Sequence, residues 1–393
     1  MRVGIDLTAL LPEPTGVDVS LTGLVRHLAR VDGDTAYVVF VNREDRGVLD
    51  GLGTNVRVMP VSTRPRAVRL AAQQLLLPAL ATTLRLDVLH SPSFIMPLLR
   101  GRAAHVLTIH DMTSFSRPEC HVALRRSAAY RRAVTLSLGR ADLVTVPSRW
   151  VKDDVLARVP MAPERIRVVP WGIGEEFRPR PAADARRALE HLDLPPSFAL
   201  FVGTVEPRKN LPCLIDAFAA LARDGGVAEH LVIAGRLAWG HAEVVQRIAQ
   251  HGLEGRVHLI GYVAQQDLAA LYAAARLFVY PSLEEGFGFP PLEAMACGTP
   301  TVVTATSSLR ENLHGAAELA PLGDPAALAE AMRRLLRDDD LRFERTAKGL
   351  ARAQRFGWTH TVHALRACYA ELADRRQHTA GADALLDDRD RAS

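Results

Sequence analysis

The sequence predicts an α/β protein made of two doubly wound domains, each a parallel sheet with helices on both faces. Short apolar runs alternate with longer segments rich in Ala, Leu and Arg, as expected for strands buried in parallel sheets. This alternation starts at the N-terminus and starts again at Phe198. A chain of 393 residues also exceeds one ordinary hydrophobic core. Because ligands sit at the carboxyl ends of parallel strands, we expect the two sheets to face a central cleft.

The predicted strands are short and apolar, and each precedes a segment of helical composition. They read RVGIDL, AYVVFV, VRVMPV, DVLHS, HVLTIH and DLVTVP in the first domain, and FALFVGT, HLVIAG, VHLIGY, LFVYPS and PTVVT in the second. We place the first domain at 1–175 and the second at 176–355, with a Gly- and Pro-rich connection at 170–181. An amphipathic helix follows at 356–374, and the polar segment 375–393 is predicted to be a disordered tail.

Charge and cysteine usage narrow the class of protein. The net charge is +4 and the pI is about 9.0, a mildly basic balance that suits an anionic small ligand. No basic run is interleaved with aromatic residues, which argues against nucleic-acid binding. The four cysteines show no metal-ligand spacing and suit reduced thiols. The chain shows no signal peptide and no uncharged apolar run of the roughly 20 residues that span a membrane, so we expect a cytoplasmic location.

Segment 64–87 is the one stretch that suggests a membrane. It reads RPRAVRLAAQQLLLPALATTLRLD and mixes Arg with Leu and Ala, as in segments that rest on a membrane surface. An ordinary packed helix is the favoured interpretation. Peripheral contact with the inner face of a membrane therefore stays open beside the cytoplasmic location.

The stretch EEGFGFPPLEAMACGTP at 284–300 combines two glutamates with glycine and proline at a strand end. Alternating Gly and Phe resist a regular helix, and the double proline suits the first turn of one. Glu285 then falls in the loop and Glu293 in the first helical turn, where the helix dipole keeps its carboxylate ionised. Either glutamate alone would be read as a surface acid. Together they predict a site in which Glu293 holds a vicinal diol such as ribose and the loop from Gly286 to Phe289 holds an anion.

Two cations follow the first strand of the second domain. Arg208 and Lys209, the latter one of three lysines in the chain, precede a helix in VEPRKNLPCLIDAF. Cations before a helix N-terminus predict a phosphate site, because the helix dipole and the N–H groups add to their charge. Two neighbouring loops carry weaker signals. Gly235 indicates a close backbone approach or a plain tight turn, and the loop around Val263 either lines a nucleobase or merely caps a helix.

In the first domain, candidate chemistry follows two strands. A long loop reaches Gly16 before a helix begins, without the G-x-G-x-x-G dinucleotide fingerprint. Gly16 is predicted to lie against a phosphate or an acceptor. His110 and Asp111 come directly after a strand. A lone histidine is more often structural, but a His-Asp pair at a strand end is a candidate for a reaction centre.

Several segments together resemble one known family. VGTVEPRKNL, VIAG, LIGYVAQQDLAALYAAARLFVYPSLEEGFGFPPLEAMACGTPTV and SSLRENLHGAAELAPLGDPAALAEAM are similar to the donor-binding half of the GT-B retaining glycosyltransferases of family 4. PTGV, LHSPS and IHDMTSF are similar to the acceptor-binding half, and RFGWTHTVHALRACYAEL to the closing helix. The resemblance covers roughly residues 1–373, and its E-x7-E signature with a Gly-Phe-Gly centre is specific.

The resemblance implies a GT-B architecture of two Rossmann-like domains, the first for the acceptor and the second for the nucleotide sugar, with the closing helix crossing back to the first. It implies transfer of a hexose, with mannose from GDP-mannose favoured, to a glycan, lipid-linked saccharide or other hydroxyl acceptor in polysaccharide biosynthesis. The implied catalytic residues are His110, Glu285, Arg208 and Lys209. The implied donor-binding residues are Gly16, Arg208, Lys209, Gly235, Val263, Glu285, Gly286, Phe287, Gly288, Phe289 and Glu293.

No metal or other cofactor is implied, because cations and helix dipoles neutralise the donor. A metal-dependent glycosyltransferase needs D-x-D after a strand, whereas Asp338 to Asp340 follow a helical pattern. Two positions depart from the family. Asp18 replaces the usual glycine of TGVG and bears on the acceptor, and Arg310 replaces the common proline of SSLPE and bears on the choice of donor.

Three alternatives stay open at this point. A nucleotide-sugar epimerase or hydrolase of the same fold would rearrange or hydrolyse its donor. A non-catalytic sugar-nucleotide-binding subunit would lack a reaction centre, and the presence of His110 and Glu285 with both cations argues against it. A two-lobed solute-binding protein is disfavoured by the missing export signal.

Overall fold

The computed structural model of the chain describes residues 1–11, 16–64, 66–99, 101–122, 127–223 and 227–390, with backbone only at 66, 67 and 377–390. The chain forms two compact units. The first unit comprises Met1–Met112, Ala123–Gly172 and Trp358–Ser393, and the second comprises Thr113–Val122 and Ile173–Gly357. Segment 113–122 therefore belongs to the second unit, although its sequence neighbours on both sides belong to the first.

Strands and helices alternate through both units. The strands are β1 (Arg2–Asp6), β2 (Ala36–Asn42), β3 (Val56–Val61), β4 (Val88–Ser91), β5 (Ala104–Thr108), β6 (Leu143–Val146), β7 (Ile166–Val168), β8 (Phe198–Val202), β9 (His230–Ala234), β10 (Val257–Gly261), β11 (Leu277–Tyr280), β12 (Thr301–Thr304) and β13 (Glu318–Ala320). The helices are α1 (Gly16–Val31), α2 (Arg66–Ala71), α3 (Leu77–Thr83), α4 (Thr113–Ser116), α5 (Ala128–Arg140), α6 (Arg149–Arg158), α7 (Ala182–Ala188), α8 (Leu211–Arg223), α9 (His241–Gln250), α10 (Gln265–Ala274), α11 (Phe289–Ala296), α12 (Ser307–Leu313), α13 (Pro325–Arg337), α14 (Asp339–Ala353) and α15 (Trp358–Asp390).

The strands of each unit form one parallel sheet. The order is β3-β2-β1-β4-β5-β6-β7 in the first unit and β10-β9-β8-β11-β12-β13 in the second, and every neighbouring pair is parallel. In each sheet the first strand of the unit, β1 or β8, is an interior strand, and later strands are added on both sides of it. This order confirms the doubly wound α/β prediction. Consecutive residues of β8 from Phe198 to Phe201 are all 0% exposed. Since consecutive side chains point to opposite faces, both faces of that sheet are covered.

Two strands were not predicted from the sequence. β7 and β13 have three residues each and occupy sheet edges. An edge strand pairs on one side only, so it needs little apolar length and leaves a weak sequence pattern. The carboxyl end of β7 nevertheless matters, because it carries Trp171 toward the site described below.

The C-terminal helix α15 packs within the first unit. Its Tyr369 hydroxyl lies 2.7 Å from Nδ1 of His90, and Glu371 pairs with Arg167 at 3.1 Å. The helix continues to Asp390, whereas the sequence predicts a disordered tail from residue 375. The segment is polar but free of proline and rich in Ala, Leu and Arg, which are compatible with a continuing helix. Residues 391–393 of the predicted tail lie outside the described residues.

Two kinds of feature are missing from the part of the chain that the structure describes. No helix there is both long and apolar enough to cross a membrane. No group of three or more His, Cys, Asp and Glu side chains there is arranged to hold a metal ion.

Candidate functional site

One carboxylate oxygen in the second unit accepts several charged and polar donors. Oε1 of Glu285 lies 2.6 Å from Nζ of Lys209 and 2.8 Å from Nη1 of Arg208. It also accepts the hydroxyls of Ser282 at 2.6 Å and Tyr280 at 3.1 Å. Glu285 and Lys209 are buried, so these charge-assisted hydrogen bonds are shielded from water. Arg208, Lys209 and Glu285, which the sequence singles out, thus meet in one place.

Two neighbouring strands bring these residues together. β8 and β11 pair in parallel, so their carboxyl ends lie at the same edge of the sheet. The chain after β8 makes a 3-10 turn at Pro207–Lys209, and the chain after β11 runs through a loop to Glu285. The backbone N–H of Leu283 donates to the carbonyl of Arg208 at 2.8 Å and ties the two loops together. Topology alone therefore accounts for the meeting of residues that lie 76 positions apart.

Both cations contact carboxylates. Arg208 also donates to Oε1 of Glu206 at 2.9 Å, so two cations face two acids in the Glu285 cluster, by which we mean Glu206, Arg208, Lys209, Tyr280, Ser282 and Glu285. Burial acts to raise the pKa of Glu285, but the charges of Arg208 and Lys209 outweigh it and hold that pKa at about 2. Burial and the like charge of Arg208 lower the pKa of Lys209, against the opposing charge of Glu285.

Two serines after β12 hold the loop that carries Glu285. Oγ of Ser307 accepts the N–H of Glu285 at 2.9 Å, and the hydroxyl of Ser308 donates to the carbonyl of Glu285 at 2.8 Å. Ser307 has φ +45°, a conformation that costs a non-glycine residue about 1–3 kcal/mol. Sequence reasoning gave these serines no role. Their signal was the doubled serine of SSLRE directly after a strand.

Glu293 lies in the second turn of α11, because the helix begins at Phe289 after Gly288. The sequence prediction that Glu293 lies in the first turn and is kept ionised by the helix dipole is therefore wrong, since that field falls off within the first turn. Burial raises the pKa of Glu293 to about 7, and the negative charge of Glu176 adds to the rise. The Tyr272 hydroxyl donates to Oε2 of Glu293 at 2.8 Å and opposes the rise.

The loop predicted to bind an anion has a fixed backbone. Gly288 has φ +91°, and a Cβ there would approach Cδ2 of Leu309 to 2.6 Å, so both conformation and space require glycine. Phe287 is buried, with its ring centroid 4.8 Å from that of Phe289, and Gly286 is buried beside it. The anion-binding role of this loop stays a prediction.

Gly235 lies in close contact with the backbone of Gly203. With φ +143°, a Cβ there would lie 2.0 Å from the carbonyl oxygen of Gly203, and its N–H donates to the carbonyl of Gly261 at 2.7 Å. The glycine thus lets the ends of β8, β9 and β10 come together. Val263 lies in the next loop and is buried.

Gly235→Ala is expected to lower the free energy of unfolding by about 1–3 kcal/mol or more, because backbone strain adds to a clash with Gly203. Gly252→Ala is the matched control. Gly252 has φ +64°, but a Cβ there meets nothing within 4 Å, so it introduces strain without the clash. Urea titration measures both variants, and equal losses would contradict the importance of the close approach.

In the first unit, His110 is buried beyond the carboxyl end of β5. Its Nε2 lies 2.8 Å from the carbonyl oxygen of Pro92, so Nε2 carries the proton and donates. Its ring stacks on that of Trp171, with centroids 5.5 Å apart and an interplanar angle of 10°, and contacts Phe94 at 5.5 Å. Burial, together with the charge of His110, lowers the pKa of nearby His90 to about 3.

The other positions singled out by the sequence are more scattered. Gly16 is the exposed first residue of α1, and the loop residues 12–15 before it lie outside the described residues. Asp18 is buried and accepts a backbone N–H of the preceding loop at 3.4 Å, so its carboxylate faces its own chain. Arg310 is exposed, and its N–H donates to the carbonyl of Thr306 at 3.1 Å, a bond that proline does not make.

Glu284 is a candidate that sequence reasoning missed. Its Oε1 accepts the hydroxyl of Ser116 at 2.8 Å, and its Oε2 lies 3.7 Å from Nε of Arg117. Its carbonyl accepts Nη1 of Arg208 at 2.9 Å. Glu284 therefore connects segment 113–122 to the Glu285 cluster, and the doubled acid of LEEGFG was its sequence signal.

Family models match both halves of the chain. Residues 14–177 match the model described as Glycosyltransferase Family 4, and residues 196–338 match the one described as Glycosyl transferases group 1. The O-antigen chain mannosyltransferase B of Escherichia coli is 34% identical over 284 residues, which cover 71% of this chain and 74% of that protein.

Two further comparisons bear on length and fold. The serotype-specific mannosyltransferase WbdA of Escherichia coli is 31% identical over 244 residues, which cover 61% of this chain and 30% of that protein. The chain thus spans less than a third of WbdA. The structure of sucrose-phosphate synthase from Thermosynechococcus elongatus has a TM-score of 0.76 at 22% identity, covering 95% of this chain and 99% of that one. The two chains therefore share a fold.

Proposed function

The chain belongs to glycosyltransferase family 4, and we propose that it transfers mannose from GDP-mannose to a hydroxyl of a growing glycan or lipid-linked saccharide. The observation that carries the proposal is the meeting of Arg208, Lys209 and Glu285 at neighbouring strand ends. Both Escherichia coli relatives are named mannosyltransferases, which supports mannose as the hexose. These relatives do not favour the epimerase, hydrolase or non-catalytic alternatives.

In this proposal the donor diphosphate binds Arg208 and Lys209, the ribose binds Glu293, and the hexose binds Glu285. Negative charge grows on the diphosphate as it leaves, and fixed cations in a site shielded from water stabilise that charge most. Each cation already contacts a carboxylate. In this proposal the phosphates share Arg208 and Lys209 with Glu206 and Glu285.

The proposed chemistry retains the configuration of the anomeric carbon. The bond from this carbon to the diphosphate oxygen breaks, and a bond to the acceptor oxygen forms on the same face. The acceptor proton passes to the leaving phosphate oxygen, so the step is balanced without another base. The first unit contributes His110 to the proposed reaction centre, and no metal ion takes part.

The test uses the purified full chain with GDP-mannose as donor and octyl α-mannoside as acceptor probe. GDP-mannose at 100 times its Kd is expected to add about 2.7 kcal/mol of stability, more than UDP-glucose at the same concentration. NMR of the product should show an α-anomer, and turnover should be the same with EDTA. A larger shift with UDP-glucose would overturn the choice of donor, a β-anomer would overturn retention, and loss of turnover in EDTA would overturn metal independence.

Donor affinity is expected to weaken about tenfold between pH 8 and pH 6, because protonation of Glu293, with a pKa of about 7, competes with ribose binding. An ionised carboxylate accepts both diol hydroxyls, whereas a protonated one does not. Glu293→Gln is neutral at every pH and should bind weakly with a flat profile. Calorimetric titration of GDP-mannose across this range is the measurement, and a flat wild-type profile would contradict the role of Glu293.

We also propose that the first unit makes peripheral contact with an anionic membrane. Val68, Leu75, Leu76 and Leu99 are exposed apolar side chains, and the N–H of Leu98 donates to Gln74 at 2.8 Å, which holds Leu99 near the turn that carries Leu75. The sequence from 64 to 102 contains six arginines and one acidic residue. Exposed apolar residues in a basic segment suit an anionic lipid surface.

Leu75→Glu is expected to weaken binding to vesicles of phosphatidylglycerol and phosphatidylcholine by about tenfold, because it removes apolar contact and adds repulsion. Phe343→Glu is the control, since Phe343 is an exposed apolar residue of α14 in the second unit. Co-sedimentation measures both variants. Equal losses, or wild-type binding that does not depend on phosphatidylglycerol, would contradict this surface.

A further inference from the structure

We propose that Trp171 is a positioning residue for His110 and that the first turn of α15 acts on His110 through it. The inference rests on the proposed function, because it concerns a residue assigned there to the reaction centre. β5 and β7 both flank β6, so the chain after each strand reaches the same edge of the sheet. The rings of His110 and Trp171 meet there, 5.5 Å apart and 10° from parallel, and both side chains are buried.

The contacts of His110 fix its orientation and its tautomer. The indole of Trp171 lies against one face of the imidazole, and Phe94 contacts the ring at an angle of 53°. Nε2–H donates to the carbonyl of Pro92 at 2.8 Å, so the neutral ring carries its lone pair on Nδ1. Rotation of the ring would break the stack and the hydrogen bond together.

Trp171 is held in turn by the start of α15. The ring of Trp358 meets that of Trp171 edge to face, with centroids 6.0 Å apart at 75°. A Cβ at Gly172 would lie 2.4 Å from Cγ of Trp358, and the hydroxyl of Thr361 donates to the carbonyl of Pro170 at 2.8 Å. Residues on both sides of Trp171 are thus fixed against α15.

The row of rings continues to α1. Trp358 also stacks on His27, with centroids 5.0 Å apart and an angle of 13°. An indole face attracts an imidazolium, so Trp171 favours the protonated form of His110 as well as its orientation. The titratable neighbours of His110 are His90, which is neutral above its pKa of about 3, and Asp111, next in the chain.

The test compares Trp171→Leu with Trp171→Phe in the assay with GDP-mannose and octyl α-mannoside. Trp171→Leu is expected to lower kcat by about tenfold or more with an unchanged donor KM, because the ring is misplaced while the donor site in the second unit is intact. It should also move the acidic limb of the kcat profile down by about half a pH unit, the size of a cation–π attraction. Trp171→Phe keeps a ring and should restore most of kcat.

A double-mutant cycle and a matched control separate positioning from stability. In the His110→Asn background, Trp171→Leu should cause no further loss of kcat and no pH shift, because its effect passes through His110. Phe40→Leu loses an equally buried ring on β2 of the same unit and should keep the wild-type pH profile. An additive loss in the cycle, or an unmoved pH limb in Trp171→Leu, would overturn the inference.

The outcomes also distinguish this inference from the proposed function. If His110→Asn leaves kcat unchanged, the reaction-centre role of His110 and the inference both fall. If His110→Asn lowers kcat but the cycle is additive, the inference falls alone. If Trp171→Leu does not fold, NMR chemical shifts of the His110 ring protons, measured in the wild type and in Trp358→Phe, test the inference instead. The stack predicts upfield-shifted protons that move in this variant, and unshifted protons would overturn the inference.

Discussion

Lys209→Ala is expected to lower kcat with GDP-mannose by about 10²–10³-fold, the usual loss when one fixed donor to a transition-state charge is removed. Nζ of Lys209 lies 2.6 Å from Glu285 and 2.5 Å from the hydroxyl of Tyr280, so contacts within the protein hold the charge in place. In solution, water molecules would have to reorient to stabilise the same negative charge, and that reorientation costs free energy. Lys209→Met, of similar length but uncharged, should lose nearly as much if charge is the cause.

Lys348→Ala supplies the control for this prediction. Lys348 is a half-exposed lysine of α14 in the same unit, paired with Glu344 at the surface, and its loss should leave kcat unchanged. Single-turnover kinetics at saturating donor separate the chemical step from binding. A loss confined to KM in Lys209→Ala would mean that Lys209 binds ground state and transition state equally, against the proposed mechanism.

Glu285→Ala is expected to lower the free energy of unfolding by about 3–5 kcal/mol, because it leaves Lys209 and Arg208 beside each other without the carboxylate between them. The pKa of Glu285 is about 2, below its ordinary value of 4.5. Its stabilising contribution is therefore present above about pH 4.5 and is lost as the pH falls toward 2. Urea titrations of wild type and variant should converge over that range.

Glu318→Ala is a matched control for stability. Glu318 on β13 pairs with Arg345 at 2.6 Å and with Arg334 at 3.2 Å. The side chain of Arg334 is 52% exposed and can turn to water, and Arg345 keeps a second acid, Glu344, at 3.1 Å. Its loss should cost less than that of Glu285. Equal losses, or a Glu285→Ala difference that persists at pH 2, would show that the Glu285 cluster is not the source of the stability.

The fold followed from the sequence wherever strands were long and apolar. FALFV and LFVY read as strands because both faces of their sheet are covered, and so every residue is apolar. β7 and β13 escaped prediction because three edge residues carry too short a pattern. Nothing in the sequence from Thr113 to Val122 indicated that it joins the second unit, because that depends on a contact 168 residues away, from Ser116 to Glu284.

The site was predictable where residues follow neighbouring strands. Arg208, Lys209 and Glu285 came from that rule, since β8 and β11 are adjacent. The raised pKa of Glu293 was not predictable, because it depends on burial of the carboxyl group, which the spacing of glutamates does not reveal. Trp171 was missed for a related reason: its partner is the ring of His110, which follows β5, and β5 is separated from β7 by β6 in the sheet.

The grouping of segment 113–122 has a consequence for dissecting the protein. The chain passes between the units four times, after Met112, Val122, Gly172 and Gly357. A recombinant fragment that starts at residue 176 would lack the hydrogen bond from Ser116 to Glu284. A fragment that stops at residue 175 would lack the whole of α15. A single cut therefore leaves neither unit intact, and an isolated second unit requires residues 113–122 to be supplied as a separate peptide or by grafting.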